Sequence, residues 1–205
     1  MLLALDTSGP TLSLGLYDGE REHASDIEEI GRGHAERLMP AIERLMLDSD
    51  VKPSDLALIA VVVGPGSFMG LRVGIAAARA LGLGLAVPVA GVSRLRALAR
   101  PHRAVHVAID ARRGEVFEQA FDAQNEPLGP LAATPVESFR PRCERMIGSG
   151  ATLAGQETVA ASDVPRLADV AALARLDPLP PRPLYGRGAD AKPQQASILS
   201  RSAQR

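Results

Sequence analysis

Three short stretches of the 205-residue sequence hold residue types that do chemistry. Asp6-Thr7-Ser8 places a carboxylate and two hydroxyls after the apolar run MLLAL. At a strand end facing a turn, such a group can hold a cation and the phosphate bound to it. The same residue types also serve as an ordinary strand-to-turn transition. Gly64-Pro65-Gly66-Ser67-Phe68-Met69-Gly70-Leu71-Arg72 follows a β-branched run over 58–63. Glycine-rich strand-to-helix turns present backbone N–H groups and a helix N-terminus to anions. This one is neither GxGxxG nor a Walker loop, because it lacks Gly-Lys-Ser/Thr. A tight turn that lets a small-residue helix pack closely accounts for it equally, and the apolar Phe68 and Met69 suit a contact surface. Gly148-Ser149-Gly150 is a second strand-to-helix glycine pair, and a lone GxG says little.

The other reactive residues are isolated. His102 and His106 have the four-residue spacing of helical metal ligands. Pro101 precedes them and His106 falls in a strand pattern, where residues four apart lie ~13 Å apart, too far for one metal. Cys143 has no activating base nearby and reads as a buried structural thiol. Ser67 sits in GxGSF rather than in the GxSxG of hydrolases. A single cysteine excludes an internal disulfide framework and a CxxC site.

The elements that must position these residues follow from periodicity. Residues 2–7 read as a buried strand, 11–17 as a half-buried strand and 20–29 as a polar edge strand, joined by Gly9-Pro10 and Asp18-Gly19 turns. From 34 to 47 the apolar residues Leu38, Met39, Ile42, Leu45 and Met46 fall at helix spacing, with Pro40 among them. Residues 58–63 read as a strand buried on both faces, 70–85 as an Ala/Gly-rich helix, 87–92 as a strand, and 93–100 as a short helix capped by Ser93. The first hundred residues thus read βββαβαβα. A second lobe over 101–190 repeats this in trimmed form, with strands at 104–109, 115–121 and 143–147 and an amphipathic helix at 164–176. Residues 191–205 have almost no core-forming content and read as a disordered tail.

Composition narrows the function classes. Apolar residues are 46% and charged residues 23%, a globular balance. No stretch reaches the ~18–20 uncharged apolar residues of a membrane helix, and the start lacks a signal peptide's basic residues. Together with the cysteine count, this points to a cytoplasmic protein. A net charge of −1 and 3% aromatics, with no tryptophan, argue against RNA stacking or a global basic field as the main mode of action.

Four pieces in order, LALDTS, HAERLMP, GPGSFMGLRVG and DARRGEVF, resemble the TsaB (YeaZ) family, partner proteins in making threonylcarbamoyladenosine on tRNA. The resemblance is clear over about residues 1–122 and thins afterwards. It implies an α/β fold of two ribonuclease-H-like lobes, that of the actin, sugar-kinase and Hsp70 superfamily, with the second lobe reduced. In the catalytic paralogue TsaD, which transfers the threonylcarbamoyl group to N6 of adenosine 37, a His-xxx-His pair holds the metal. The corresponding positions here are Arg94 and Leu98, and neither offers a lone pair to a metal. The resemblance therefore implies a non-catalytic scaffold for a TsaD-like subunit, with a TsaE-like ATPase as further partner and tRNA met only through the complex. It also implies a homodimer when alone, and no tightly bound cofactor beyond ATP or ADP at a subunit interface. Asp6, Thr7, Ser8, Gly148 and Gly150 become candidates for a vestigial phosphate site. The expected partner surface is Leu38, Met39, Ile42, Leu45 and Met46 of the first helix with Phe68, Met69, Leu71, Arg72, Ile75, Ala78 and Leu81 of the second. Two positions depart from the family pattern: Met69 stands where threonine is usual, and Gly186 where leucine is usual. An active small-molecule kinase or ATPase of the same fold, and more remotely a peptidase, are the competing readings.

Overall fold

The computed structural model describes residues 1–186, so the tail expected over 191–205, and Arg187, lie outside the described residues. The first sheet is built from β1 (Leu2–Asp6), β2 (Thr11–Asp18), β3 (Arg21–Glu29), β4 (Leu58–Gly64) and β5 (Val89–Ser93), in the order β3-β2-β1-β4-β5. β1 pairs antiparallel with β2 and parallel with β4. All five residues of β1 are buried because helices cover both faces of the sheet, which is why its sequence is continuously apolar. Leu3 and Leu5 share one face with Leu12, Leu14 and Leu16 of β2, while Leu2 and Ala4 face the other way with Tyr17. β3 is the edge, and its charged sequence REHASDIEE discourages further pairing there.

Helices α1 (His34–Asp48) and α2 (Phe68–Leu85) share the core on one face. Pro40 lies inside α1, on its exposed side. α2 starts two residues earlier than the sequence pattern suggests, because Ser67 caps it by accepting a hydrogen bond from Gly70 N at 3.2 Å. At 18 residues α2 meets the length and hydropathy of a membrane span, a feature that the residue-run argument did not register. Arg72 and Arg79 stand on it, and Leu71, Ile75 and Ala78 pack it onto the sheet.

The second sheet has β6 (Val105–Arg112), β7 (Glu115–Phe121), β8 (Ala132–Pro135) and β9 (Arg145–Ile147), in the order β8-β7-β6-β9. This repeats the order of the first sheet without its fifth strand, giving the two-lobed α/β architecture with a reduced second half. A three-residue turn of 3-10 helix, Val136–Ser138, stands where the first half has α1, and α4 (Ser149–Leu153) stands where it has α2. β8 escapes the sequence reading, being too short to show a period, and of α4 the sequence marks only the glycine pair at its start. Cys143 precedes β9 instead of opening it.

α5 (Leu167–Leu176) corrects the sequence reading, which assigned that helix to the second lobe. Its Leu167, Val170, Ala171, Leu173 and Ala174 pack on the first sheet against Leu2, Ala4, Tyr17, Ala60 and Val62. The first sheet's second face needs an apolar cover, and this stripe supplies it. α3 (Arg94–Ala99) lies between the halves: Ala97 faces the first sheet, while Leu95, Leu98 and Ala99 pack with Val107, Ile109 and Phe117 of the second.

Candidate functional site

The end of β1 meets the glycine-rich turn. Asp6, Thr7 and Ser8 are all buried. Thr7 Oγ1 donates to Gly70 O at 2.8 Å, Ser67 N donates to Ser8 O at 2.8 Å, and Ser8 N donates to Asp6 Oδ1 at 2.7 Å. A Cβ at Gly70 would lie 2.0 Å from Thr7 O, one at Gly74 2.3 Å from Thr7 Oγ1, and one at Gly66 2.3 Å from Ser8 O. The glycines therefore let the turn and helix press onto the strand end. The Ser67 and Gly70 amides, which a phosphate would use, are engaged within the chain. Of this strand-end group, Ser8 Oγ is buried with no hydrogen-bond partner among the described residues.

Gly148 and Gly150 use the same device in the second half. A Cβ at Gly148 would lie 2.3 Å from Ala108 O, and one at Gly150 2.7 Å from the carbonyl carbon of Ile109. The start of α4 is occupied by Asp163, which accepts from Ser149 N at 2.8 Å and from Ser149 Oγ. The structure does not bring Gly148 and Gly150 to Asp6 and Ser8 directly. Arg94 stands between, its Nε donating to Asp163 O at 2.9 Å and its Nη1 reaching Ser8 O at 3.4 Å. The two positions matching the paralogue's metal ligands are thus a guanidinium engaged with carbonyls and a leucine inside the second sheet's core. They do not fit a metal. Among the described residues no group of three or more His, Cys, Asp or Glu could hold one. His102 lies in the turn before β6 and His106 within β6.

His106 belongs to a different cluster. Its Nδ1 accepts from Arg142 N at 3.0 Å, so the neutral ring carries its proton on Nε2, 2.6 Å from Glu118 Oε2. Thr134 Oγ1 donates to the other oxygen of Glu118. Burial pushes the imidazole below its ordinary range, and Glu118 only partly opposes this. The diagonal placement of His106 and Glu118 on β6 and β7 follows from register, which residue types alone do not show.

The expected partner surface divides. Leu38, Ile42, Leu45 and Met46 of α1 and Leu71, Ile75 and Ala78 of α2 are buried in the first sheet's core, which corrects their reading as contact residues. Helix periodicity marks an apolar face without saying what covers it, and here it is the sheet. Leu81 is half-buried against the same core. Met39 (45% exposed), Phe68 (50%) and Met69 (65%) do face outward, as does Arg72. Missed in sequence were Ala76, Ala80 and Leu83, also exposed, the last at 87%. Their spacing along one side of α2 was the available signal. The outward side of α1 is mostly charged, with Arg37 paired to Glu28 and Arg44 to Asp26. At the head of α2, Arg72 lies 3.8 Å over the Phe68 ring, Phe68 stacks on Tyr185 at 5.5 Å, and Arg72 Nε donates to Tyr185 Oη at 3.2 Å. No local pattern connects Arg72 to Tyr185, 113 residues away. Gly186 lies against the Phe117 ring, where a Cβ would come within 2.4 Å, so the leucine usual in the family has no room here.

Comparisons with known proteins agree with this architecture. The family model described as TsaD, tRNA N6-adenosine threonylcarbamoyltransferase, matches residues 25–160. A Bacillus subtilis relative, tRNA threonylcarbamoyladenosine biosynthesis protein TsaB, is 37% identical over 128 residues, which cover 60% of this chain and 56% of that protein. The chain thus spans little more than half of that relative's length. An uncharacterized Mycobacterium tuberculosis protein is 34% identical over 203 residues, with 94% of both chains covered. The structure of YeaZ from Pseudomonas aeruginosa superposes with a TM-score of 0.76 at 32% identity, covering 90% of this chain and 98% of that one. Near-complete coverage of that structure at this identity, joined to the family-model match, places the chain in the TsaB/YeaZ family.

Proposed function

We propose that the chain is a non-catalytic partner subunit in the biosynthesis of threonylcarbamoyladenosine on tRNA, acting as scaffold for a TsaD-like catalytic subunit. The observation that carries the reading is the outward side of α2. Phe68, Met69, Ala76, Ala80 and Leu83 present apolar or small side chains along one helix, broken only by Arg72 and Arg79. Small residues let a second helix approach closely, and methionine fits irregular gaps. The occupant is a helix of a TsaD-like protein, or a second copy of this chain when that protein is absent. A TsaE-like ATPase completes the assembly in the cytoplasm, and tRNA is met through the complex. Nucleotide, where it takes part, binds at a subunit interface. The alternative, an ATPase acting alone, needs an open phosphate cradle. The engaged Ser67 and Gly70 amides and the Asp163-filled start of α4 weigh against it.

The test is co-purification with a TsaD-like protein and an assay for the modified nucleoside, using wild type and Ala80→Glu. Wild type is expected to form the complex and support modification, and the variant to lose both while remaining folded by circular dichroism. Complex formation unaffected by Ala80→Glu removes α2 as the contact. ATP turnover at an enzyme-like rate by the isolated chain overturns the scaffold reading.

A further inference from the structure

We propose that Arg94 is an inter-sheet pin, a positioning residue that holds the two halves at a fixed angle to one another. Arg94 is the first residue of α3, the helix that packs on both sheets. It is 5% exposed, and its hydrogen bonds go to the backbone carbonyls of Asp163 and Ser8, not to a carboxylate. Burying a guanidinium is costly unless its donors are matched, so the carbonyls around it must do that work. Its Nε takes Asp163 O at 2.9 Å and its Nη1 reaches Ser8 O at 3.4 Å. The chain wraps it tightly: a Cβ at Gly9 would lie 2.9 Å from Nη2, and one at Gly66 3.1 Å from Nη1.

Beyond Asp163 the bonds continue. The Asp163 carboxylate holds Ser149 N and Oγ, and Ser149 Oγ accepts from Asp110 N at 3.1 Å. An unbroken path thus runs from the end of β1 through Arg94, Asp163 and Ser149 to β6. A planar fork can span two carbonyls in different directions, which an ammonium does less well. A second tether works alongside. Leu179 exchanges hydrogen bonds with Gly91 of β5 at 2.7 and 2.9 Å, Leu184 N donates to Val63 O at 2.7 Å, and the segment then reaches Phe117 of β7 at Gly186. Hinged domains move about a few unpacked residues, whereas here the connection is packed and hydrogen-bonded on two routes.

The experiment measures the distance between spin labels on the full chain at Glu20→Cys and Glu137→Cys, in a Cys143→Ser background, with and without Mg-ATP. Wild type is expected to give one narrow distance that ATP does not move. Arg94→Met is expected to broaden it about twofold and to speed amide exchange at residues 8, 9 and 149–151 about tenfold, with circular dichroism unchanged. Ser149→Ala, which cuts the same path at its far end, is expected to broaden it less, and Arg103→Met not at all. A distribution as narrow in Arg94→Met as in wild type, or one that wild type already shows as broad or ATP-dependent, overturns the proposal. If Arg94→Met fails to fold, Arg94→Lys and Ser149→Ala decide it by the same measurement, and no broadening in either counts against the pin.

Discussion

The two sheets share a strand order and differ in what covers them. In the first, the strand-end turn leads into an 18-residue helix, and α1, α2, α3 and α5 cover both faces. In the second, the equivalent helix has five residues and a 3-10 turn replaces the helix before the fourth strand. One of its faces borrows α3 from the first half, and the other is covered by Phe139 and Ala151 over Ala108 and Val116. Both halves nevertheless keep glycine where the helix backbone must meet the carbonyl of the first strand, Gly70 against Thr7 and Gly148 against Ala108. Helix length thus follows the apolar area a sheet must hide, while the close approach at the strand end persists when the helix is shortened.

The largest expected effect separates the inside of α2 from its outside. Ala78 is 0% exposed, so Ala78→Glu places an unpaired charge in the first core and costs several kcal/mol, enough to prevent cooperative folding. Two residues on, Ala80→Glu leaves the melting temperature close to wild type. Thermal melts of the pair check this, and equal destabilisation breaks the inside-outside division.

Next come the two strand-end glycines. Gly70→Ala is expected to destabilise by about 3 kcal/mol, because the new Cβ meets backbone that cannot move aside. Gly148→Ala is expected to cost about as much, since it adds a positive φ of 95° to the same kind of clash. Urea denaturation measures both, and a mild effect at Gly148 with a large one at Gly70 means that only the first half depends on the close approach.

A smaller effect is tied to the second sheet through His106. Its folded-state pKa is lowered by burial, so the unfolded chain binds the proton more readily. The stability this neutral histidine contributes is complete above about pH 6.5 and declines as pH falls from there towards the folded pKa. His106→Gln should flatten the stability-pH curve in that window, and a curve of unchanged slope refutes the assignment. The smallest effect is favourable. Gly84, exposed in α2 with nothing near its would-be Cβ, should gain about 0.5–1 kcal/mol on replacement by alanine.

Local patterns made most of the first half readable. The β-branched run before Gly64, the Ser93 cap and the charged edge strand all encode their environment in neighbouring residues, whereas the alternation over Thr11–Asp18, which reads as half-buried, belongs to a strand buried on both faces. The second half was less legible, because a four-residue strand and a five-residue helix are shorter than the windows in which a period shows.

The chain's own residues determined that α1 and α2 are amphipathic, that β1 and β4 are buried on both faces, and that the two glycine turns join strand to helix. Those properties rest on side-chain period and backbone freedom, which are local. Only the tertiary structure decided that α5 belongs to the first sheet, that Ala78 faces inward and Ala80 outward, and that Arg94 joins Ser8 to Asp163. Those outcomes depend on which surfaces meet across the chain, the two Arg94 bonds alone spanning 69 and 86 residues, and hydrophobic burial has no direction in sequence until packing chooses one.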